Sequence, residues 1–134
     1  MNQPKIVLVS SDDRMLHVQF TAAARLEDFL PLLEEIRRQA EAHKVISILI
    51  DARVFQEKVT VVQRLQVAVA VVDKFLGYQV AGVISTESFD PKLLAETMAR
   101  NRGANVKMTT SLPEAMEWLS GTKPGEAGSP ATHT

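Results

Sequence analysis

Residues 61–76, VVQRLQVAVAVVDKFL, decide the fold of this chain, because a valine-rich run of this kind is compatible with either a strand or a helix. Signals on both sides of the run favour the helix. Thr60 and Gln63 have the spacing of a capping box, and Gly77 stands where a left-handed C-terminal cap is expected. The run is also longer than most strands. We therefore predict a helix over residues 61–76, lying across a sheet.

This helix has more apolar residues than a single face can hold. We expect one buried stripe made of Leu65, Ala68, Val69, Val72, Phe75 and Leu76. Val67, Ala70 and Val71 extend beyond the stripe, so they need a cover as well. Two flanking helices would provide one. The alternatives are that these three residues form a homodimer face or the wall of an apolar pocket.

Upstream of the helix, residues 5–10 and 15–20 are predicted strands joined by a polar turn, Ser11-Asp12-Asp13-Arg14. Apolar residues alternate along the second strand, which places His17 on its wetter face. From Leu26 the apolar spacing changes to three and four, as in an amphipathic helix.

Two further features of this half refine the prediction. Pro31 indicates either that the first helix begins close to it or that the helix is kinked there. Residues 45–50 form a continuous apolar run ending in Asp51, which is typical of a central strand covered on both faces.

Downstream, residues 78–84 are a predicted strand, and Asp90-Pro91 has the composition of a helix start. That helix runs to about Arg102 and is closed by Gly103. A short strand over 105–108 follows, and a second capping box at Ser111-Leu112-Pro113-Glu114 opens a last helix through Leu119.

The resulting order, ββαβαβαβα, predicts an α/β domain with a mixed, mostly parallel sheet flanked by helices. We assign this single domain to residues 1–120. Residues 121–134 are rich in Gly, Pro, Ser and Thr, so we expect a flexible C-terminal tail.

Composition narrows the function. With 134 residues, 46% of them hydrophobic, the chain can build one core. A net charge of -1 provides no overall electrostatic attraction for the phosphate backbone of a nucleic acid. Cys is absent, which excludes thiol nucleophiles and thiolate metal sites. No signal peptide or membrane-spanning run is visible, so we expect a cytoplasmic protein without membrane insertion.

Three stretches carry a resemblance to a known family. They are MLHVQFTAAARLEDFLPLLEEI from Met15, ISILIDARVF from Ile46, and GANVKMTTSLPEAMEWL from Gly103. Together they resemble the STAS superfamily, and within it the small stand-alone bacterial anti-sigma-factor antagonists, over about residues 14–120. The resemblance implies a STAS-like fold and a regulatory, non-catalytic protein that binds a protein partner of the kinase-like or another regulatory type.

In that family the loop after the Asp-ended strand carries a phosphorylatable serine, and Thr60 occupies the corresponding place. The pattern here departs from the family's, because Val59 precedes Thr60 instead of Asp, Val61 carries no second hydroxyl, and no Gly follows. The remaining implication is a protein-interaction surface around this loop, or a pocket for a small apolar ligand.

Binding sites in open α/β sheets lie beyond the carboxyl ends of the parallel strands. The residues that we place there are Asp51, Arg53, Thr60, Ser85, Thr86, Glu87, Ser88, Thr109, Thr110 and Ser111. A plainer interpretation is available for several of them. Thr60 and Ser111, like Asp90 outside this set, have the positions of helix caps. Asp51 has that of a strand-end residue whose side chain bonds loop N–H groups.

Other functions have less support in the sequence. His17, His43 and His133 have no metal-ligand spacing, and no Gly-rich phosphate loop is present, so we predict no metal, cofactor or catalytic residue. An enzyme would need a hydroxyl such as Ser85 paired with a base. A receiver-like phosphoacceptor domain would use Asp12-Asp13, Asp51 and Lys107, but it requires a helix where residues 15–20 alternate as a strand.

Overall fold

The computed structural model of the chain describes residues 4–11, 14–89 and 93–121, and in these ranges it contains five strands and four α-helices. The strands are β1 (Ile6–Ser11), β2 (Met15–Phe20), β3 (Ser47–Asp51), β4 (Gln79–Val83) and β5 (Asn105–Thr109). The helices are α1 (Phe29–His43), preceded by a 3₁₀ turn at Leu26–Asp28, then α2 (Val61–Phe75), α3 (Leu94–Asn101) and α4 (Leu112–Gly121). The predicted helix over the valine-rich run is therefore confirmed.

The five strands form one sheet in the order β1-β2-β3-β4-β5. β1 is antiparallel to β2, with a register shift between Leu8 and Ser10, whereas β2, β3, β4 and β5 are all parallel. This confirms the predicted α/β class with a mixed, mostly parallel sheet. β3 lies at the centre, and all five of its residues are buried, as its unbroken apolar run predicts.

The helices form two layers of unequal size. Each crossover from one parallel strand to its neighbour steps in the same direction, so right-handed connections place α1, α2 and α3 on one face. The larger core lies between these helices and the sheet, and it includes Phe20, Leu33 and Phe75. Of the four described helices, α4 is the one that packs on the other face, where a smaller core contains Leu49 and Leu119.

α2 begins at the predicted capping box. The Gln63 amide donates to Thr60 Oγ1 at 3.1 Å, and the Thr60 amide donates to Gln63 Oε1 at 2.9 Å. Beyond the helix, Gly77 has φ +92°, a conformation that L side chains rarely adopt. Although α2 is strongly apolar, none of the described helices is both long and apolar enough to cross a bilayer.

The buried stripe of α2 is narrower than predicted. Ala68 and Phe75 are buried, but Val69 is 53% exposed and Leu76 is 54% exposed. The reason is the position of α2 as the middle helix of its layer, between α1 and α3. Its neighbours cover its flanks, and the side opposite the sheet stays open to solvent.

The prediction for His17 is wrong. His17 is only 8% exposed, although it lies on the sheet face that the alternation marks as the wetter one. That face is not open: α4 packs on it against β3, β4 and β5, and Met15, two residues before His17 on β2, packs against the apolar cluster formed there. Alternation predicts which residues share a face, but it cannot predict that a helix at the end of the chain returns to cover that face.

The remaining caps agree in part with the predictions. Pro31 lies in the first turn of α1, and Gly103 follows α3 with φ +96°. Ser111 Oγ accepts from the Glu114 amide at 3.2 Å, but the Glu114 carboxylate pairs with Lys107 and does not complete the predicted second capping box. The predicted Asp12-Asp13 turn, the Asp90-Pro91 helix start and residues 122–134 of the predicted tail lie outside the described residues.

Candidate functional site

At the carboxyl ends of β3, β4 and β5, the two faces of the sheet carry different side chains. Asp51, Val83 and Thr109 are in register across β3, β4 and β5, and they face the α4 side. Successive side chains of a strand alternate between faces, so the neighbouring set of Ile50, Gly82 and Met108 points toward the other helices.

A cavity of about 110 Å³ lies on the side of α2 and α3. All but three of its lining residues are apolar. The lining consists of Phe29, Ala52, Phe55, Val59, Arg64, Val67, Ile84, Ser88, Phe89, Leu93, Ala95, Glu96 and Met108. Apolar cavities with a few placed polar groups are the usual form of small-molecule sites.

Aromatic rings build one wall of this cavity. Phe29 and Phe55 meet edge to face with centroids 6.0 Å apart, and both contact Phe20, which is buried in the core below them. Edge-to-face and offset ring pairs of this kind are favourable beyond the area that they bury. The wall is thus connected to β2 through Phe20.

Two serines fix the loop after β4 against the segment after β3. Ser85 Oγ donates to the Phe55 carbonyl at 2.8 Å, and Ser88 Oγ donates to the Glu57 carbonyl at 2.8 Å. Both side chains are buried, so these bonds are shielded from water. They bring the loop that carries Phe89 close to Phe55, and the cavity lies between them.

The polar residues that line the cavity differ in whether their buried atoms have hydrogen-bond partners. Glu96 Oε1 accepts from the Met108 amide at 2.6 Å. Arg64 Nε, in contrast, is buried and has no hydrogen-bond partner among the described residues. Leu93, at the entry to α3, has φ +52°, and such backbone strain in a non-glycine residue is concentrated at functional sites.

On the α4 side, Asp51 and Arg53 form an ion pair. Burial pushes the pKa of the Asp51 carboxyl up, but the hydrogen bonds and the positive charge of Arg53 outweigh burial and hold this pKa below its ordinary value. Burial lowers the pKa of His17; the charge of Asp51 opposes this effect and that of Arg53 adds to it. His17 Nε2 is buried without a hydrogen-bond partner among the described residues.

The hydroxyl residues predicted for the rim do not gather at one point. Thr60 is an exposed helix cap, and Ser85 is turned inward toward Phe55. Thr109 is buried on the α4 side, where its Oγ1 accepts from the Ser111 amide at 3.1 Å. Thr86 and Thr110 are exposed.

The three valine and alanine residues predicted as a dimer or ligand face have different positions. Val67 lines the cavity. Ala70 and Val71 are half-buried and pack against the larger core.

An apolar pocket walled by Val67, Ala70 and Val71 was one of the alternatives left open by the sequence, but the aromatic wall of this cavity was not predicted. One signal was present, since Phe55 follows the Asp51 strand end by four residues and a bulky ring there needs an apolar cover. Arg64 gave no signal, because a charged residue in the first turn of a helix is ordinarily solvated.

No group of three or more potential metal ligands occurs among the residues that the structure describes. Comparison of the chain with protein-family models, curated proteins and solved structures found no match. The resemblance to the STAS superfamily therefore stays a prediction, and a function is to be inferred from the geometry of the cavity and its surroundings.

Proposed function

We propose that this protein is a non-catalytic binding module that holds a small, largely apolar molecule in the cavity at the carboxyl edge of β3, β4 and β5. The observation that carries the proposal is the cavity of about 110 Å³ whose lining is apolar except for Arg64, Ser88 and Glu96. An apolar cavity of roughly 150 Å³ binds benzene, so a cavity of this size is on the scale of a molecule with a single ring.

The contacts of the hydroxyl groups support a non-catalytic role. An activated nucleophile needs a base within hydrogen-bond reach. Ser85 and Ser88 instead donate to backbone carbonyls, and no hydroxyl is bonded to a histidine within the described ranges. These serines serve to position the loop beside the cavity.

Toluene tests the proposal, because it is apolar, uncharged and compact. We expect saturable shifts of the methyl NMR signals of Val67, Ile84 and Met108 when toluene is titrated into the protein. Val67→Phe places a ring in the cavity and should abolish these shifts. Val69→Phe makes the same change on the exposed side of α2 and should leave them intact. Absence of saturable shifts in the unsubstituted protein would refute the proposal.

A second candidate function is the regulatory protein-interaction module of the STAS, anti-sigma-factor-antagonist type. It is favoured by the surface around Thr60, where the exposed hydroxyl-bearing cap is followed by Val61 and Val62, which are 52% and 64% exposed. Exposed apolar residues beside a polar cap suit a protein partner in the cytoplasm, including a kinase-like one that would modify Thr60.

Affinity purification from the native host tests this candidate. We expect a protein partner to be retained by the unsubstituted chain and lost with Val62→Glu. Gln66→Glu adds the same charge at another exposed position of α2 and should retain the partner. A partner that binds all three proteins equally would not be bound through the Thr60 surface.

The contacts do not favour the receiver-like alternative. Lys107 is paired with Glu114 at 3.2 Å, and Asp51 is paired with Arg53 at 2.7 Å. Receiver domains also have the strand order 2-1-3-4-5, whereas the order here is linear.

A further inference from the structure

Arg64 is the unusual member of the cavity lining. It lies in the first turn of α2, where its amide donates to the Thr60 carbonyl at 3.0 Å, and its side chain reaches the cavity. A guanidinium offers five donors in a planar fork. Its Nε is buried without a partner among the described residues, and none of the described carboxylates forms an ion pair with it. Leaving such a donor unpaired in an apolar site is costly, so the fork is available to a bound acceptor.

Glu96, the second charged residue of the lining, is already engaged. Its Oε1 accepts from the Met108 amide at 2.6 Å, and its Oε2 lies 3.7 Å from Arg100 Nε. Both carboxylate oxygens thus face donors of the protein. Among the described lining residues, the charge without an ion-pair partner is therefore the positive charge of Arg64.

We propose that the ligand is a small monocarboxylic acid, with its apolar body against the rings of Phe29 and Phe55 and its carboxylate on the guanidinium of Arg64. This inference rests on the proposed function and specifies its ligand class. Arg–carboxylate pairs are frequently bidentate, and such charge-assisted bonds are about twice as strong as neutral ones. A single negative charge fits better than a dianion, because Glu96 lines the same cavity.

Three probes of the same shape and different charge test the proposal at pH 7.5. They are benzoate, benzyl alcohol and benzylamine, each titrated with the methyl signals of Val67 and Ile84 as readout. We expect benzoate to bind about tenfold more tightly than benzyl alcohol, the ratio that corresponds to one charge-assisted hydrogen bond. Arg64→Gln should lower the affinity for benzoate to that for benzyl alcohol, and it should leave the affinity for benzyl alcohol unchanged.

Two further variants act as controls. Arg64→Lys keeps the charge but not the fork, and should retain part of the preference for benzoate. Arg102→Gln makes the same substitution at an exposed position outside the cavity and should bind all three probes like the unsubstituted protein. Circular dichroism and the thermal unfolding midpoint establish that each variant is folded.

The outcomes separate the two proposals. Equal binding of benzoate and benzyl alcohol, tighter binding of benzylamine, or a preference for benzoate that survives Arg64→Gln would overturn the assignment of a carboxylic acid and leave the proposed function standing. If toluene gives no saturable shifts, the proposed function fails, and this inference, which rests on it, fails with it.

Discussion

The carboxylate of Asp51 is held at both of its oxygens by Arg53. Arg53 Nη2 lies 2.7 Å from Oδ2 and Nε lies 3.0 Å from Oδ1, while the Arg53 amide donates to Oδ1 at 3.1 Å. The carboxylate is buried, with 6% of its side chain exposed, whereas the Arg53 side chain is 46% exposed. The negative charge at the end of β3 is therefore neutralised by Arg53, a residue only two positions away in the chain.

Replacing Asp51 by Asn should lower the free energy of unfolding at pH 7 by about 1–2 kcal/mol, the range for a charge-assisted hydrogen bond reduced for the exposure of Arg53. The pKa of Asp51 is lower in the folded state, so its stabilising effect is present above the ordinary Asp pKa of about 3.9 and is lost as pH falls through the folded value. Urea unfolding of both proteins across this range should therefore show their stabilities converging in acid.

Glu41→Gln is the matched control for that experiment. Glu41 pairs with Arg37 at 2.8 Å but its side chain is 55% exposed, so we expect a change within about 0.5 kcal/mol. A difference between the unsubstituted protein and Asp51→Asn that stays constant down to pH 2 would contradict the assignment of this effect to the carboxylate.

At pH 7.5, His17→Leu should leave the free energy of unfolding unchanged or raise it by about 1 kcal/mol. The reason is that the substitution removes a buried nitrogen that has no partner among the described residues. The pKa of His17 is lower in the folded state than in the unfolded chain. The unfolded chain therefore takes up the proton first as pH falls below about 6.5, and the folded state loses stability.

Denaturant unfolding at pH 7.5 and at pH 5.5 measures how much the free energy of unfolding falls between these two pH values. We expect the pH-dependent loss to be smaller in His17→Leu than in the unsubstituted protein. His43→Leu, at the exposed end of α1, should not reduce the loss attributed to His17. Identical pH profiles for His17→Leu and the unsubstituted protein would show that burial does not disfavour the charged imidazole.

Local signals explain why much of the fold could be predicted from the sequence. Thr60 and Gln63 fix the start of α2 through bonds between residues three positions apart, and Gly77 takes the positive φ of the turn that follows the helix. The unbroken apolar run of β3 indicates burial on both faces. These features depend on backbone geometry and short-range bonds, so the residues that form them are close together in the sequence.

The candidate site depends on contacts between distant segments, and those left no comparable pattern. Phe29 and Phe55 are 26 positions apart in the chain, and the unpaired state of Arg64 depends on which carboxylates the fold brings near it. The error at His17 has the same origin, because the apolar cluster on that face of the sheet includes residues of α4, which lie far from β2 in the sequence.

Thr60→Ala should lower the free energy of unfolding by about 1 kcal/mol, because it removes the side-chain half of the capping box. Thr60→Asp keeps an acceptor for the Gln63 amide and should cost less than about 0.5 kcal/mol. Thermal unfolding measures both. Thr86→Ala, an exposed threonine outside any helix, is the control and should stay within about 0.5 kcal/mol. Equal losses for Thr60→Ala and Thr60→Asp would mean that the cap does not stabilise α2.

The exposed side of α2 predicts self-association. Val62 and Val69 are both more than half exposed and lie seven residues apart, so they share one side of the helix, and Leu76, just beyond its end, is also more than half exposed. We expect sedimentation equilibrium to show a homodimer of the unsubstituted protein and a monomer of Val69→Glu. Gln66→Glu should remain dimeric. A monomeric unsubstituted protein at high micromolar concentration would show that this side stays open to solvent.

Gly82→Ala should weaken ligand binding with little effect on stability. A Cβ atom at Gly82 would lie 3.0 Å from Met108 Sδ and 3.3 Å from its Cε, so the thioether has to move. Met is flexible, and the cavity that Met108 lines offers it room, so we expect the free energy of unfolding to change by less than about 1 kcal/mol.

The displaced Met108 side chain would occupy part of the cavity that a ligand needs. Packing between β4 and β5 at Gly82 and Met108 is therefore expected to affect ligand binding. Toluene titration should therefore show a weaker affinity for Gly82→Ala, and denaturant unfolding should show a nearly unchanged midpoint. Gly121→Ala is the control, since no atom lies within 4 Å of its added Cβ and the site is remote from the cavity lining. Unchanged toluene affinity in Gly82→Ala would mean that Met108 moves away from the cavity and does not limit its volume.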